Sequence, residues 1–384
     1  MTGRSAPSVA PLVVLAAGGT GGHVFPAEAL AGELVARGAR LALFTDDRGR
    51  RWGGALADHP VVPVRGGSPA AGGALRRAGN VLSLGAGAAQ AYAALRRFVP
   101  AVVVGFGGYA SVPTMVAAWF RGVPSVIHEQ NAVLGRANRL VAGGAYLIAT
   151  SFPDVRHLAT NDARVRLVGN PVRDAVGAVR DIPYVAPAAE GPLRVLVVGG
   201  SQGAASFGTV VPEAIAALPA SLLRRLRVEQ QCRPEDVERV RAFYRDRAVD
   251  AGCATFFDDI PARLAAAHLV IGRAGASTVA ELTTAGRPAI LVPFPHATED
   301  HQRANAKALD AAGGAILLPH ERFTSGALRL HLEALLGDPA RLAAMAGAAR
   351  GQGRPDAAAR LADLVCELAG LSSASILAPR GAAA

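Results

Sequence analysis

The apolar run Val13-Val14-Leu15-Ala16-Ala17 breaks directly into Gly18-Gly19-Thr20-Gly21-Gly22-His23, and Pro26-Ala27-Glu28-Ala29-Leu30 then opens a helical pattern that reaches Arg37. A buried strand that ends in glycines and restarts as a helix leaves backbone N–H groups unpaired at the helix start, where an anionic ligand can sit. No Lys follows the glycines, as a Walker A loop requires, and the spacing is not that of a G-x-G-x-x-G dinucleotide loop. A histidine closes the loop instead. A titratable imidazole beside a phosphate cradle points to transfer chemistry more than to cofactor storage.

The same strand–loop–helix unit recurs along the chain. Leu41–Phe44 and Val102–Val104 are short apolar runs, the second leading into Gly105-Phe106-Gly107-Gly108-Tyr109. Ser125-Val126-Ile127 ends in His128-Glu129-Gln130-Asn131, and Val165–Val168 leads to Gly169-Asn170-Pro171-Val172-Arg173. The pattern restarts at Val195–Val198 with Gly199-Gly200-Ser201-Gln202-Gly203, followed by a helix reaching Leu218. Leu269-Val270-Ile271 then meets a glycine loop and a helix over Val279–Ala285; Ala289–Val292 meets Pro293–His296 and a helix from about Asp300 to Ala311. Uninterrupted apolar strands alternating with helices predict parallel sheets covered on both faces. With 384 residues, the expected architecture is α/β, two Rossmann-like domains facing each other across a cleft. The expected boundaries are a flexible start over 1–11, a first domain over 12–175, a linker over 176–192, a second domain over 193–350, a helix over 351–370 packing back on the first domain, and a disordered tail over 371–384. Hydrophobic residues make up 51% of the chain but aromatics only 5%, so Ala, Val and Leu must build the cores, and 44 glycines suit many strand-to-helix turns.

The net charge is +10, carried almost wholly by arginine, since Lys307 is the single lysine. Genome base composition explains that balance as well as function does. A basic chain also fits nucleotide phosphates or anionic lipid. Nucleic acid is set aside, because no zinc-finger spacing, RNP-like aromatic run or basic helical arm occurs. Cys232, Cys253 and Cys366 have no metal-ligand spacing and read as reduced structural thiols. The segment Met1–Pro11 lacks the apolar core of a signal peptide, and no stretch approaches the ~20 apolar residues of a membrane span.

Each loop carries two readings. Thr20, Gly21 and Gly22 can hold a phosphate or merely supply a tight turn. His23 is a general base or a helix-terminal cap. Ser201 is a phosphate contact or an N-cap. Ser277 and Thr278 share that ambiguity, and Glu281, three residues after Thr278, has capping-box spacing. Its alternative is a carboxylate gripping ribose hydroxyls. Gln302 and Asn305, at i and i+3, share a helix face pointing back to the Pro293–His296 loop and suit either sugar hydroxyls or solvent.

The combined motifs Thr20–Pro26, Gly105–Tyr109, His128–Asn131, Gly169–Arg173, Gly199–Ala204 and Arg273–Glu281, in order from about residue 12 to 365, resemble the MurG family of glycosyltransferase family 28. The resemblance implies a GT-B fold and an inverting transfer of N-acetylglucosamine from UDP-GlcNAc to the 4-hydroxyl of the muramoyl sugar of lipid I, giving lipid II and UDP in peptidoglycan synthesis. The first domain would then be the acceptor and membrane side, the second the donor side. Donor contacts carried over are Thr20, Gly21, Gly22, Asn131, Arg173, Ser201, Phe257 through its backbone on uracil, Ala276, Ser277, Thr278, Val279, Ala280 and Glu281. Gln302 and Asn305 would hold the sugar, and Gly107, Gly108 and Tyr109 form an acceptor loop. His23 is the candidate base, with Glu129 the second. No metal and no cofactor are expected, since helix N-termini and Arg173 can neutralise the leaving diphosphate. His301 stands where the family usually has Gln, and the Pro295–Asp300 loop is one residue longer. The family's basic-rimmed apolar patch maps to Arg76, Arg77, Val81, Leu82, Leu84, Arg96, Arg97, Trp119 and Arg121, or to an ordinary amphipathic face. The implied partners are UDP-GlcNAc, lipid I, the anionic inner-leaflet surface and other cell-wall synthesis proteins, at the cytoplasmic face of the bacterial plasma membrane. The alternatives are a sugar-nucleotide epimerase, a nicotinamide oxidoreductase using Asp46 or Asp47, and a non-catalytic nucleotide-binding module.

Overall fold

A computed structural model describes residues 10–18, 21–47, 56, 58–68, 73–200 and 204–371. The chain divides into two compact units, Met1–Arg173 with Asp356–Ala384, and Asp174–Pro355. The first unit is built on strands β1 (Leu12–Ala16), β2 (Arg40–Thr45), β3 (Val61–Pro63), β4 (Val102–Gly105), β5 (Ser125–Glu129), β6 (Leu147–Thr150) and β7 (Val165–Leu167). They form one sheet in the order β3-β2-β1-β4-β5-β6-β7, with every pairing parallel.

Alternation along β1 divides the core. Val13 and Leu15 face one side, with Val24, Ala27, Leu30, Ala31 and Leu34 of the helix Gly21–Ala36 and with Leu361, Ala362, Val365 and Cys366 of the helix Ala357–Ala369. Leu12 and Val14 face the other, with Ala91 and Leu95 of the helix Ala74–Phe98 and Met115, Ala117 and Ala118 of the helix Val112–Phe120. Each such buried Leu or Val stabilises the fold by about 1.5–3 kcal/mol. Both faces are filled, so strand after strand reads as an unbroken apolar run. The C-terminal helix is further tied to the first by Arg37, which pairs with Asp363 and donates to the Ala359 carbonyl.

The second unit repeats the plan with β8 (Leu193–Val198), β9 (Leu226–Gln231), β10 (Asp250–Ala254), β11 (Leu269–Gly272), β12 (Ala289–Leu291) and β13 (Ala315–Leu317). Their order is β10-β9-β8-β11-β12-β13, again wholly parallel. Cys232, Cys253 and Cys366 are all buried free thiols. Residues Asp174–Asp181, which span the end of the stretch expected as the first domain and the start of the one expected as a linker, form a short helix and a 3-10 turn that belong to this unit.

Two local expectations change. The first helix begins at Gly21, with Pro26 inside it, rather than at Pro26. Proline in the second turn removes the bond to the Gly22 carbonyl without preventing helical φ, so it does not mark the boundary. That shift places His23 in the first helical turn. Strands β9 and β10 carry Arg, Glu, Gln and Asp and escaped a search for apolar runs.

Arg287, 1% exposed, holds the second unit together from within. Its guanidinium donates to the carbonyls of Leu264, Ala265, Ala285 and Gly286 and to that of Ile182. It thus closes the carbonyl ends of the helices Ile260–Ala266 and Ala276–Ala285. Replacing it orphans those carbonyls. Arg287→Ala is expected to lower the urea unfolding free energy by about 3 kcal/mol or more; a loss under 1 kcal/mol would show that water satisfies them equally well.

Candidate active site

In a doubly wound sheet the strand order reverses at one point, and the loops leaving the carboxyl ends there splay apart to receive a ligand. In the first unit that point lies between β1 and β4. The two loops meet closely: a Cβ on Gly18 would lie 3.1 Å from the Ala110 Cβ. Thr20 and Gly19 lie outside the described residues. Gly21, Gly22 and His23 open the helix Gly21–Ala36. Gly107 and Gly108 take φ of +85° and +70°, which favours glycine, and their bare α-carbons make room for the imidazole. A Cβ on Gly107 would lie 3.4 Å from His23 Cε1, and one on Gly108 3.3 Å from Cδ2. Tyr109 is half-buried.

The end of β5 supplies the polar scaffold. Glu129 is 1% exposed; its Oε1 accepts from the N–H and Nδ2 of Asn131, its Oε2 from the Gly135 N–H and Asn138 Nδ2. Four donors saturate this carboxylate, so the second base candidate acts as a clamp on the loop 131–138. Asn131, expected on the donor, is part of that clamp. His128 is fully buried, packs its ring 5.7 Å from that of Phe106, and donates from Nε2 to the Gly169 carbonyl. Burial lowers its pKa to about 4 against that hydrogen bond. Gln130 is buried beside it, and its Oε1 lies 3.2 Å from His23 Nδ1. Arg173 lays its guanidinium 4.6 Å from the Phe25 ring centre, on the turn that follows His23. Asn170 is buried, and neither of its amide atoms has a hydrogen-bond partner among the described residues.

The corresponding point of the second unit lies between β8 and β11. Ser201 lies outside the described residues. The helix Ala276–Ala285 starts directly after β11, with Gly275 at its N-cap and no side-chain cap. Thr278 is therefore the third helical residue, which removes the capping-box reading of Thr278 and Glu281. The Ser277 hydroxyl is buried without a partner among the described residues, and Ala276 and Val279 are buried while Thr278, Ala280 and Glu281 stay half-buried. Phe257 is buried under the Arg263 guanidinium, 4.0 Å from its ring centre.

The amides proposed for the sugar serve the protein's own loops. Gln302 Oε1 accepts from the Phe294 N–H, and Asn305, wholly buried, donates to the Ala274 carbonyl. The loop before Gln302 passes through two consecutive left-handed residues, Glu299 and Asp300, with φ of +54° and +56°, a conformation costly for non-glycine residues. Arg273, unremarked in the motif that contains it, is buried, donates to the Val292 and Pro293 carbonyls and the Ser206 hydroxyl, and has its pKa lowered by burial to about 10. It stays charged at neutral pH with no carboxylate among its described partners. An anion arriving near it would be favoured.

Residues 13–149 match the glycosyltransferase family 28 N-terminal domain and residues 194–361 its C-terminal domain. A Rhodospirillum centenum protein named UDP-N-acetylglucosamine–N-acetylmuramyl-(pentapeptide) pyrophosphoryl-undecaprenol N-acetylglucosamine transferase is 56% identical over 95% of this chain and 96% of its own. A Methylobacterium protein of the same name is 53% identical over 94% of this chain and 97% of its own. The crystal structure of Acinetobacter baumannii MurG superposes with a TM-score of 0.75 at 29% identity, covering 93% of this chain and 99% of that one. The chain belongs to the MurG family.

A Neisseria meningitidis UDP-GlcNAc 2-epimerase also superposes, with a TM-score of 0.64 at 12% identity over 93% of this chain and 99% of that one, and shows shared architecture alone. In this MurG-family chain, His128, Gln130, Asn138 and Arg273 were missed as site residues. For His128, Gln130 and Arg273 the clue was a place at a strand carboxyl end; Asn138, inside the helix Arg136–Val141, gave none, and what any of them touches was not readable from spacing. The His128 burial has a pH consequence. Its pKa falls from an ordinary 6.5 to about 4 on folding, so the unfolded chain binds the extra proton between those values. Stability is full above pH 6.5 and is lost as pH falls toward 4, by about 3 kcal/mol. Chemical denaturation from pH 7 to 4 is expected to show that excess slope in the wild type relative to His128→Gln; parallel slopes would mean that His128 is reached by water.

Proposed function

We propose that the chain is an inverting glycosyltransferase moving N-acetylglucosamine from UDP-GlcNAc to the 4-hydroxyl of the muramoyl sugar of lipid I, giving lipid II and UDP. The observation that carries this reading is identity above half, over nearly the full length of both chains, with relatives bearing that name. His23 serves as the base: its imidazole takes the proton of the acceptor hydroxyl as that oxygen attacks the anomeric carbon on the face opposite the diphosphate. The bond from the anomeric carbon to the β-phosphate oxygen breaks, and UDP leaves. The amino end of the helix Ala276–Ala285, with Ser277, Thr278 and the charge of Arg273, receives the diphosphate. Thr20, Gly21, Gly22, Arg173 and Ser201 are assigned to phosphate and sugar, Glu281 to the ribose, Phe257 to uracil through its backbone, and Gly107 to Tyr109 to the acceptor. Gln302 and Asn305 act through the loops they hold, and Glu129 through Asn131. In an acceptor-dependent UDP-release assay with a lipid I analogue, His23→Ala is expected to lower kcat on the order of a hundredfold or more while KM for UDP-GlcNAc stays near the wild-type value. Near-normal turnover removes His23 as base. An epimerised nucleotide formed without acceptor would overturn the transferase reading itself.

The lipid substrate calls for a peripheral membrane surface, and no helix among the described residues is long and apolar enough to cross a membrane. Leu82 is 74% and Trp119 62% exposed, with Val81 and Phe120 also bare, beside the exposed Arg76, Arg77, Arg96 and Arg97. Leu84, grouped with them in the sequence, instead packs against the core. We assign this face to the anionic inner leaflet, with apolar side chains inserting and arginines meeting headgroups. Exchanging both Arg96 and Arg97 for Gln should weaken cosedimentation with anionic vesicles by roughly tenfold or more, at about 1 kcal/mol per arginine. Unchanged binding to vesicles would withdraw that surface.

A further inference from the structure

His23 can accept a proton at Nε2 only if its neutral ring carries its own proton on Nδ1. A row of hydrogen bonds, buried except at its half-buried His23 end, decides that question. It starts at the Gly169 carbonyl, which can only accept, 3.0 Å from His128 Nε2. His128 must therefore carry its proton on Nε2, leaving a lone pair on Nδ1. That lone pair lies 3.0 Å from Gln130 Nε2. The same amide nitrogen faces the main-chain oxygens of Phe106 and His128, each at 3.0 Å. Turning the amide over would set its oxygen against three acceptors, so its orientation is set by its surroundings. Its Oε1 is thereby directed at His23 Nδ1, 3.2 Å away. An amide oxygen can only accept, so Nδ1 of His23 holds the proton.

We infer that Gln130 is a positioning residue that fixes the tautomer of His23 with the basic lone pair on Nε2, and that His128 and the Gly169 carbonyl hold Gln130 in the orientation this requires. This rests on the reading of His23 as the base. The members come from four segments: His23 from the first turn of the first helix, His128 and Gln130 from the end of β5, Phe106 from the loop after β4, and Gly169 from the loop after β7. The device differs from a carboxylate–histidine pair: a neutral amide selects the tautomer without pulling the imidazole toward its cation. The depressed pKa of His128 suits the arrangement, because a proton on His128 Nδ1 would face the Gln130 amide protons and break the row.

The test is nitrogen-15 NMR of the imidazoles in the full-length chain, whose shifts report which ring nitrogen is protonated. The chain has nine histidines, and His23→Ala assigns its signals by their loss. In the wild type above the titration range, His23 is expected as the Nδ1–H form and His128 as the Nε2–H form. An Nε2–H form for His23 overturns the inference, and this measurement needs no variant of Gln130 to fold. In Gln130→Met, the His23 signals should move toward the Nε2–H form and kcat should fall about tenfold or more, with KM for UDP-GlcNAc unchanged. Unmoved His23 signals in that variant overturn the inference. If His23→Ala retains turnover, the base reading fails while the NMR result still stands on its own, so the two failures are distinguishable.

Discussion

A parallel sheet covered on both faces leaves its central strands little room for polar side chains except at the strand ends. Every other position on β1, β4 or β11 is buried among aliphatic groups, where an unpaired polar atom would cost several kcal/mol. The carboxyl ends also face the amino ends of the following helices, whose N–H groups seek acceptors. Polar chemistry is thereby concentrated where the strand order reverses, once in each unit. The site inherits its position from this constraint.

In each unit the polar residues near the strand carboxyl ends are spent mostly on the protein itself. Glu129 closes a loop with four donors, Asn305 holds the Ala274 carbonyl, Gln302 holds the Phe294 N–H, and Arg273 braces Val292, Pro293 and Ser206. Satisfied groups of this kind do not reorganise when substrate arrives, and preorganisation of that sort lowers the barrier more than loosely held groups would. Within the first unit, His23 stands against the bare α-carbons of Gly107 and Gly108.

Much of this was legible in the chain before folding. The apolar runs at β1, β2, β4, β5, β8, β11 and β12 announced themselves, because doubly buried strands tolerate little else. Strands β9 and β10 did not, because they carry Arg, Glu, Gln and Asp, and the short β3, β6 and β13 were missed as well. The helix start at Gly21 was hidden by Pro26, whose usual place is the first turn. Within the site, glycine spacing marked the loops, yet residues that bind the loop and residues that meet a ligand use the same amides and carboxylates. Spacing cannot separate them; hydrogen-bond partners can.

The sequence alone determined the class of fold, the family and the identity of the titratable groups, because these follow from patterns local to a strand, a turn or a motif. Only the tertiary structure decided how those groups are divided between scaffold and chemistry. Gly169 and His128 lie 41 positions apart and Gln130 and His23 lie 107 apart, so their contacts exist only once four separate segments have closed on one another. A proton on one nitrogen or the other of His23 is settled by which atom faces it. That is a property of position in space, set by packing that no single stretch of the chain encodes.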